Sequence, residues 1–355
     1  MFLCSYVVNW YIVPPTTTMT ILKNISLRPF NSFHIDVVAK KFAAFSSIDE
    51  LQELLISSRT ETKQFFLGGG SNILFTNDFD GIVLKNEIIG IEVVREDADH
   101  VYLKVGAGEN WHQFVMHCIA KGLGGVENLS LIPGNVGASP MQNIGAYGVE
   151  IKEVFESLSA FHLKDKKVVT FSVNDCQFGY RDSVFKHKNK DEFVILDVIY
   201  RLNKIPKFNT SYGAIEEELG KMGVKELSIA AISKAVINIR SSKLPDPDVI
   251  GNAGSFFKNP QIPKDELHEL KRIYANAPSY EVDENLVKVP AAWLIEQCGW
   301  KGFRKGDAGC HAKQPLVLVN YGNAKGEEIF GLSEEILQSV NKKFGIVLER
   351  EVNVI

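Results

Sequence analysis

With 355 residues the chain exceeds one comfortable hydrophobic core, so two or three domains are expected. A hydrophobic content of 45%, 23% charged residues and a net charge of -4 suit an ordinary globular enzyme and exclude the basic face of a nucleic-acid binder. No stretch is apolar for long enough to span a bilayer, and five scattered cysteines (Cys4, Cys118, Cys176, Cys298, Cys310) without a Cys-x-x-Cys pair fit a reducing cytoplasm.

Residues 1–18 are apolar but lack a basic n-region and a small-residue cleavage site, so they read as a non-native or flexible extension ahead of Met19. A capping box, Ser47-Ile48-Asp49-Glu50, followed by Leu51, Leu54 and Leu55 predicts a helix. The run QFFL then strands into Gly68, Gly69 and Gly70. Strands are expected over Ile82–Leu84, Ile91–Val94 and Val101–Val105, then a helix from the cap Asn110 to Lys121 with Gly122 as its stop. After the loop Leu131–Gly148 come strands over Val154–Phe161, Val168–Phe171 and Phe193–Leu202. The polar segment Asn203–Leu219 reads as an insertion with a turn at Ser211-Tyr212-Gly213, placing a boundary near Leu202–Ser211. Beyond a helix over Ile229–Arg240, Pro245 and Pro247 bar regular structure. The last third alternates helices (Lys264–Asn276, Ala291–Cys298, Gly326–Phe344) with strands (Val317–Val319, Val347–Val352).

The loop Leu131–Gly148, LIPGNVGASPMQNIGAYG, carries no charged side chain, so it can bind only through backbone and neutral groups. Gly134, Gly137, Gly145 and Gly148 are expected to allow positive φ and close approach, while Ser139, Gln142, Asn143 and Tyr147 offer donors and acceptors. That chemistry suits a large, flat, partly anionic cofactor; a plain compact loop between strands is the alternative. Neither Gly68–Ile73 nor Gly106–Trp111 has the third glycine of a dinucleotide fingerprint, and no Walker A sequence occurs, so any nucleotide cofactor sits on a different α+β scaffold.

Metal chemistry finds no support, because the eight histidines include no His-Glu-x-x-His and His112 and His117 lie five apart. Ser255, in GNAGSFFKNP, is no nucleophile elbow; it is either a proton donor in a dry, closely approached site or a turn serine. Arg181, in FGYRDS, can hold a carboxylate or enolate with two prongs, or can pair with Asp182 at the surface. Glu351 lies in LEREV on an apparent strand whose alternation puts it on one face with Glu349, an arrangement that a solvated face also explains. Arg240 and Lys243 form a basic pair able to meet phosphates or simply water.

Taken in order, GGGSN, IPGNVGASPMQNIGAYG, FGYRDS, SKLPDP, GNAGSFFKNP and LEREV resemble the bacterial UDP-N-acetylenolpyruvoylglucosamine reductases, MurB, from about Met19 onward. NTSYGAI looks like the loop of the class that folds a tyrosine over its substrate. The resemblance implies an α+β chain: a vanillyl-alcohol-oxidase (PCMH) type FAD-binding fold in two subdomains (residues 19–85 and 86–210), plus a smaller α/β substrate-binding domain (211–355). It implies noncovalent FAD, held by Gly68, Gly69, Gly70, Ser71 and Asn72 together with Pro133, Gly134, Gly137, Ala138, Ser139, Gln142, Asn143, Gly145, Ala146 and Tyr147; neither loop has a histidine for a covalent link.

It further implies that NADPH reduces the flavin, which then passes hydride to C3 of an enolpyruvyl ether, giving UDP-N-acetylmuramate for peptidoglycan. Arg181 and Glu351 would stabilise the enolate and Ser255 would protonate C2, while Tyr212, Arg240, Lys243, Asn259 and Gln314 would hold the UDP-sugar. The expected partner is this small molecule alone, with no nucleic acid and no membrane, bound by a cytoplasmic monomer. Arg350 and Asn353 depart from the proline and basic residue of the family's terminal motif, which bears on the setting of Glu351. The competing readings are another flavoprotein oxidase on the same scaffold and a UDP-sugar-binding protein without catalysis.

Overall fold

In the computed structural model, which describes residues 20–355, the first lobe is built on a helical crossover between parallel strands. Residues 1–18, read above as an extension, lie outside the described residues. Strands β1 (Leu22–Ser26) and β2 (Val38–Phe45) pair antiparallel; α1 (Ile48–Ser57), β3 (Gln64–Leu67), β4 (Ile73–Leu74) and β5 (Phe79–Asn86) follow, giving a sheet ordered β1-β2-β5-β3 in which β2, β5 and β3 run parallel. Ser47 caps α1 by accepting from the Glu50 amide at 3.2 Å, but the Glu50 carboxylate reaches back to the Ser46 amide instead of the cap's own. The helix buries Leu51, Leu54 and Leu55, the face its spacing predicts.

The second lobe starts with β6 (Ile91–Glu96), β7 (His100–Gly106) and α2 (Trp111–Ala120). The ribbon β8 (Gly145–Ala146) and β9 (Val149–Glu150) leads into β10 (Phe155–His162), β11 (Lys167–Ser172), the single turn α3 (Val173–Cys176) and β12 (Phe193–Asn203). Its five-stranded sheet is antiparallel throughout, ordered β11-β10-β12-β7-β6. Asn110 caps α2 through the Gln113 amide (3.0 Å), and Gly122 follows the helix with φ +72°. Trp111, Phe114 and Tyr200 pack ring on ring, with centroids 4.9–5.8 Å apart, and glue α2 to β12.

The polar segment Asn203–Leu219 is only half a loop. From Gly213 it becomes helix α4 (Gly213–Lys221), whose Ile215 and Leu219 pack on α5 (Ile229–Lys243) in a small core of their own. The two apolar residues four apart carried that signal among the glutamates.

The remainder combines β13 (Gly251–Asn252), β14 (Gln261–Pro263), α6 (Lys264–Ile273), β15 (Tyr280–Glu281), β16 (Leu286–Lys288), α7 (Ala291–Gln297), β17 (Arg304–Lys305), β18 (Ala308–Cys310), β19 (Leu318–Asn320), α8 (Gly326–Phe344) and β20 (Asn353–Val354). These strands form a four-stranded sheet β13-β19-β18-β17 and a three-stranded one β14-β16-β15. The strand expected over Val347–Val352 does not form. That run is extended but makes only a single bridge, Arg350 opposite Phe257, before β20 joins β4 in parallel. One core joins Leu27 to Val83 of the first lobe with Ala253 to Val352, so the end of the chain packs as part of the first lobe's interior.

Candidate active site

A cleft of about 510 Å3 runs between the lobes, within the roughly 300–1,000 Å3 typical of small-molecule sites. The two glycine-rich loops form its floor. Gly70 takes φ +64° with its α-carbon pressed on Phe30, where a Cβ would lie 2.0 Å from the carbonyl oxygen. The loops also touch each other: a Cβ on Gly134 (φ +104°) would come within 2.5 Å of Ser71 Oγ.

Gly137 and Gly145 do not use positive φ as expected. They are needed for close packing, Gly137 on Ala107 (2.6 Å to a built Cβ) and Gly145 on Glu150 (2.8 Å). The left-handed positions fall instead on Leu131, Asn143 and Tyr147, as well as Gly134 and Gly148. Asparagine tolerates that region better than most residues, and tertiary bonds hold Asn143 there, its Nδ2 donating to Glu150 Oε2 and to the Gly179 carbonyl, both at 2.9 Å.

Among the described residues, the amides of Gly69, Gly70, Ser71 and Asn135, all of which line the cleft, donate to no protein acceptor. A row of free main-chain donors along a concave, backbone-lined surface fits the phosphates and ring edge of a bound dinucleotide. The residues present therefore fit FAD.

Gly68 to Asn72, Pro133, Ala138, Ser139, Gln142 and Gly145 line the cleft, as do Arg181, Arg240, Ser255 and Glu351. Gly134, Gly137, Asn143, Ala146 and Tyr147 stand behind or beside the wall as its supports, and the Ser139 hydroxyl is committed to Tyr200 OH at 2.6 Å. Tyr212, Lys243, Asn259 and Gln314 do not line it. Tyr212 meets the Tyr147 ring edge to face at 5.3 Å, and Asn259 Oδ1 accepts from the Ala291 amide at 2.9 Å. Arg240 is buried enough that its guanidinium is pulled below its ordinary range, and its Nε donates to the Leu131 carbonyl at 3.2 Å.

Arg181 turns away from Asp182, which takes His187 Nε2 at 2.7 Å, and reaches Glu351 Oε1 at 3.2 Å. It sits in a two-residue turn closed by the Gly179 amide on the Asp182 carbonyl (3.1 Å), at φ +54°, a conformation that costs an arginine about 1–2 kcal/mol. Its Nη2 anchors on the Gly145 carbonyl at 2.5 Å. Gln142 Nε2 donates to Glu351 Oε1 at 3.3 Å, while its Oε1 accepts from Asn72 Nδ2 at 3.1 Å. Burial pushes the Glu351 carboxyl above its ordinary value, while Arg181, Lys186 and Lys258 pull it back. Glu349, expected on the same face, is exposed and pairs with Lys258.

Ser255 follows Gly254 (φ +69°) and precedes two phenylalanines without exposed surface, Phe256 and Phe257. Burying each ring stabilises the fold by about 1.5–3 kcal/mol and fixes the serine backbone at the cleft wall. Phe256 packs 6.2 Å from Phe33, so the hydroxyl is placed by the first lobe's core. Ser255 is half-buried, and among the described residues its hydroxyl has no hydrogen-bond partner. Arg350 and Asn353 prove to be anchors: Arg350 donates to Ser333 Oγ (2.9 Å), pairs with Glu334 and covers the Phe330 ring, while Asn353 bonds the Asn72 carbonyl from Nδ2 (3.0 Å).

Sequence reasoning missed Lys186 and Lys258. Lys186 donates to the Arg181 carbonyl (3.1 Å), and burial, reinforced by Lys258, lowers its ammonium. Lys186 follows FGYRDS by three residues and Lys258 lies within GNAGSFFKNP, which was the available signal. No group of metal-ligating side chains occurs among the described residues.

Curated relatives named UDP-N-acetylenolpyruvoylglucosamine reductase are 50% identical in Flavobacterium johnsoniae (338 residues; 95% of this chain, 100% of the relative) and 50% identical in Amoebophilus asiaticus over the same shares. The chain belongs to the UDP-N-acetylenolpyruvoylglucosamine reductase family. Residues 246–355 match that reductase's C-terminal domain and residues 39–172 match an FAD binding domain, which agrees with the two loops forming the floor. The fold is that of the reductase from Thermus caldophilus, with a TM-score of 0.65 at 23% identity over 95% of this chain and 99% of that one. The reductase fold so matched is an α+β, FAD-binding one, as the motifs implied.

Proposed function

We propose that this chain reduces UDP-N-acetylglucosamine enolpyruvate to UDP-N-acetylmuramate at the expense of NADPH, with Ser255, Arg181 and Glu351 carrying the second half of the reaction. FAD, held by the loops Gly68–Asn72 and Leu131–Gly148, would supply the two-electron relay between NADPH and C3 of the enolpyruvyl group. What the chain itself contributes follows from the charge that this leaves on C2 and the neighbouring carboxylate. Arg181, backed by Lys186 and Lys258, offers positive charge to that anion. Glu351 and Gln142 orient the guanidinium, and the carboxyl's raised proton affinity suits a group that also hydrogen-bonds the substrate carboxylate. Ser255 Oγ gives its proton to C2; the hydroxyl is a weak acid, and a basic enolate held beside it makes up the difference.

The observation that carries this reading is the Arg181–Glu351 pair at 3.2 Å, in one cleft with Ser255 and both glycine loops. Tyr212, Arg240, Lys243, Asn259 and Gln314 are assigned to the UDP-sugar, the expected partner of a monomer. No described helix is long and apolar enough to cross a membrane, and Cys118, Cys176, Cys298 and Cys310 are free thiols, which supports placing the enzyme in the cytoplasm. The purified protein is expected to be yellow, to bleach with NADPH under anaerobic conditions and to recolour with the enolpyruvyl substrate. Recolouring only by oxygen would favour an oxidase, and binding of the UDP-sugar without any bleaching would favour a non-catalytic protein.

A further inference from the structure

Two loops far apart in sequence are bonded to each other at the end of the glycine-rich loop. Asn128, almost completely buried in the turn before the glycine-rich loop, donates from Nδ2 to the Tyr147 carbonyl (3.0 Å) and to the Asn209 carbonyl (2.9 Å). Asn209 answers by donating to the Gly148 carbonyl at 3.1 Å, and its Oδ1 accepts from Ser211 Oγ at 2.8 Å. Gly148, at φ +81°, leaves little room here, since a Cβ would lie 3.4 Å from Asn209 Nδ2. The turn holding Asn128 is itself fixed: Trp111 Nε1 donates to the Leu129 carbonyl at 2.9 Å, and Ser130 Oγ meets Ser233 Oγ of α5 at 2.8 Å. The Tyr147 and Tyr212 rings then stand edge to face at 5.3 Å.

A buried amide that spends both protons on carbonyls of two separate segments fixes their spacing. We infer that Asn128 and Asn209 form a clasp that sets Tyr212 against the cofactor loop, making them positioning residues for the UDP-sugar. This rests on the assignment of Tyr212 to that substrate. The clasp leaves the NADPH half-reaction alone, since neither asparagine lines the cleft.

The test uses the flavin-loaded enzyme with Asn128→Ala and Asn209→Ala, each alone and combined with Tyr212→Ala. Asn209 is half-buried, so its variant serves if loss of the buried Asn128 disturbs folding. Each asparagine variant should raise KM for the enolpyruvyl substrate about tenfold, the factor expected from losing such hydrogen bonds, with anaerobic bleaching by NADPH unchanged. Trypsin should cut faster at Lys204 and Lys207, and the KM effect should vanish in the Tyr212→Ala background. An equal KM rise in that background, or no rise in either single variant, would overturn the clasp. Tyr212→Ala with normal KM would instead remove the assignment of Tyr212 itself, a distinct result.

Discussion

Replacing Ser255 by alanine separates chemistry from folding, because the structure assigns the two very different magnitudes. The hydroxyl has no hydrogen-bond partner among the described residues, and the phenylalanines that fix its backbone remain. Stability should therefore change by no more than about 0.5 kcal/mol, which for a chain of this size moves the melting temperature by about 1 °C. A positioned proton donor contributes about 10²–10⁴-fold, or about 3–5 kcal/mol of barrier, and that whole loss should fall on the second half-reaction. Stopped-flow spectroscopy under anaerobic conditions reads both halves: bleaching by NADPH at the native rate, then recolouring by the enolpyruvyl substrate slowed by at least about a hundredfold. Equal slowing of both halves, or a fall in melting temperature of several degrees, would mean that Ser255 shapes the cleft and donates nothing.

Arg181→Ala should show the same asymmetry, and normal turnover in it would remove the residue from the mechanism. For Glu351→Gln the pH dependence is informative. The folded carboxyl binds its proton more firmly than the ordinary value of 4.5, so its stabilising share is complete below that pH and is lost as pH rises through the raised value. Thermal melts across that window should shift in favour of the glutamine variant as pH rises; a pH-independent difference would contradict the burial argument. Gly70→Ala places a methyl group 2.0 Å from a backbone oxygen at positive φ, so it should cost about 3 kcal/mol and weaken FAD retention, measured by melting and by ultrafiltration of the flavin. Arg350→Ala loses the Ser333 bond, the Glu334 pair and the Phe330 contact, worth about 2–3 kcal/mol together, and should slow recolouring while sparing bleaching. An unaltered melting curve would show that the anchor is idle.

The sequence spoke most clearly where periodicity and capping act locally. Ser47 and Asn110 announced α1 and α2, and the apolar run of β12 stood out because both its faces are largely covered. The helix α4 was hidden because a surface helix with two buried residues carries little periodic signal. The extended run before β20 resembled a strand because alternation in sequence does not reveal whether a partner ladder exists. At the site, the motifs singled out Arg181, Ser255 and Glu351, which line one cleft, yet only the folded chain shows that Arg181 leaves Asp182 for Glu351 across about half the sequence. Asn128 was invisible because its role lies in which carbonyls it reaches, and those come from two segments that only tertiary structure brings together.

The pairing of Asn353–Val354 with Ile73–Leu74 bears on the order in which a nascent chain becomes competent. During synthesis the glycine floor emerges early, whereas the glutamate that faces Arg181 is seated only after residue 354 has left the exit tunnel and found its groove. A ribosome-bound intermediate can thus complete its antiparallel second lobe while still lacking its anionic partner for the guanidinium. Docking Asn353–Val354 against a strand made almost three hundred residues before is a long-range step that local structure alone does not complete.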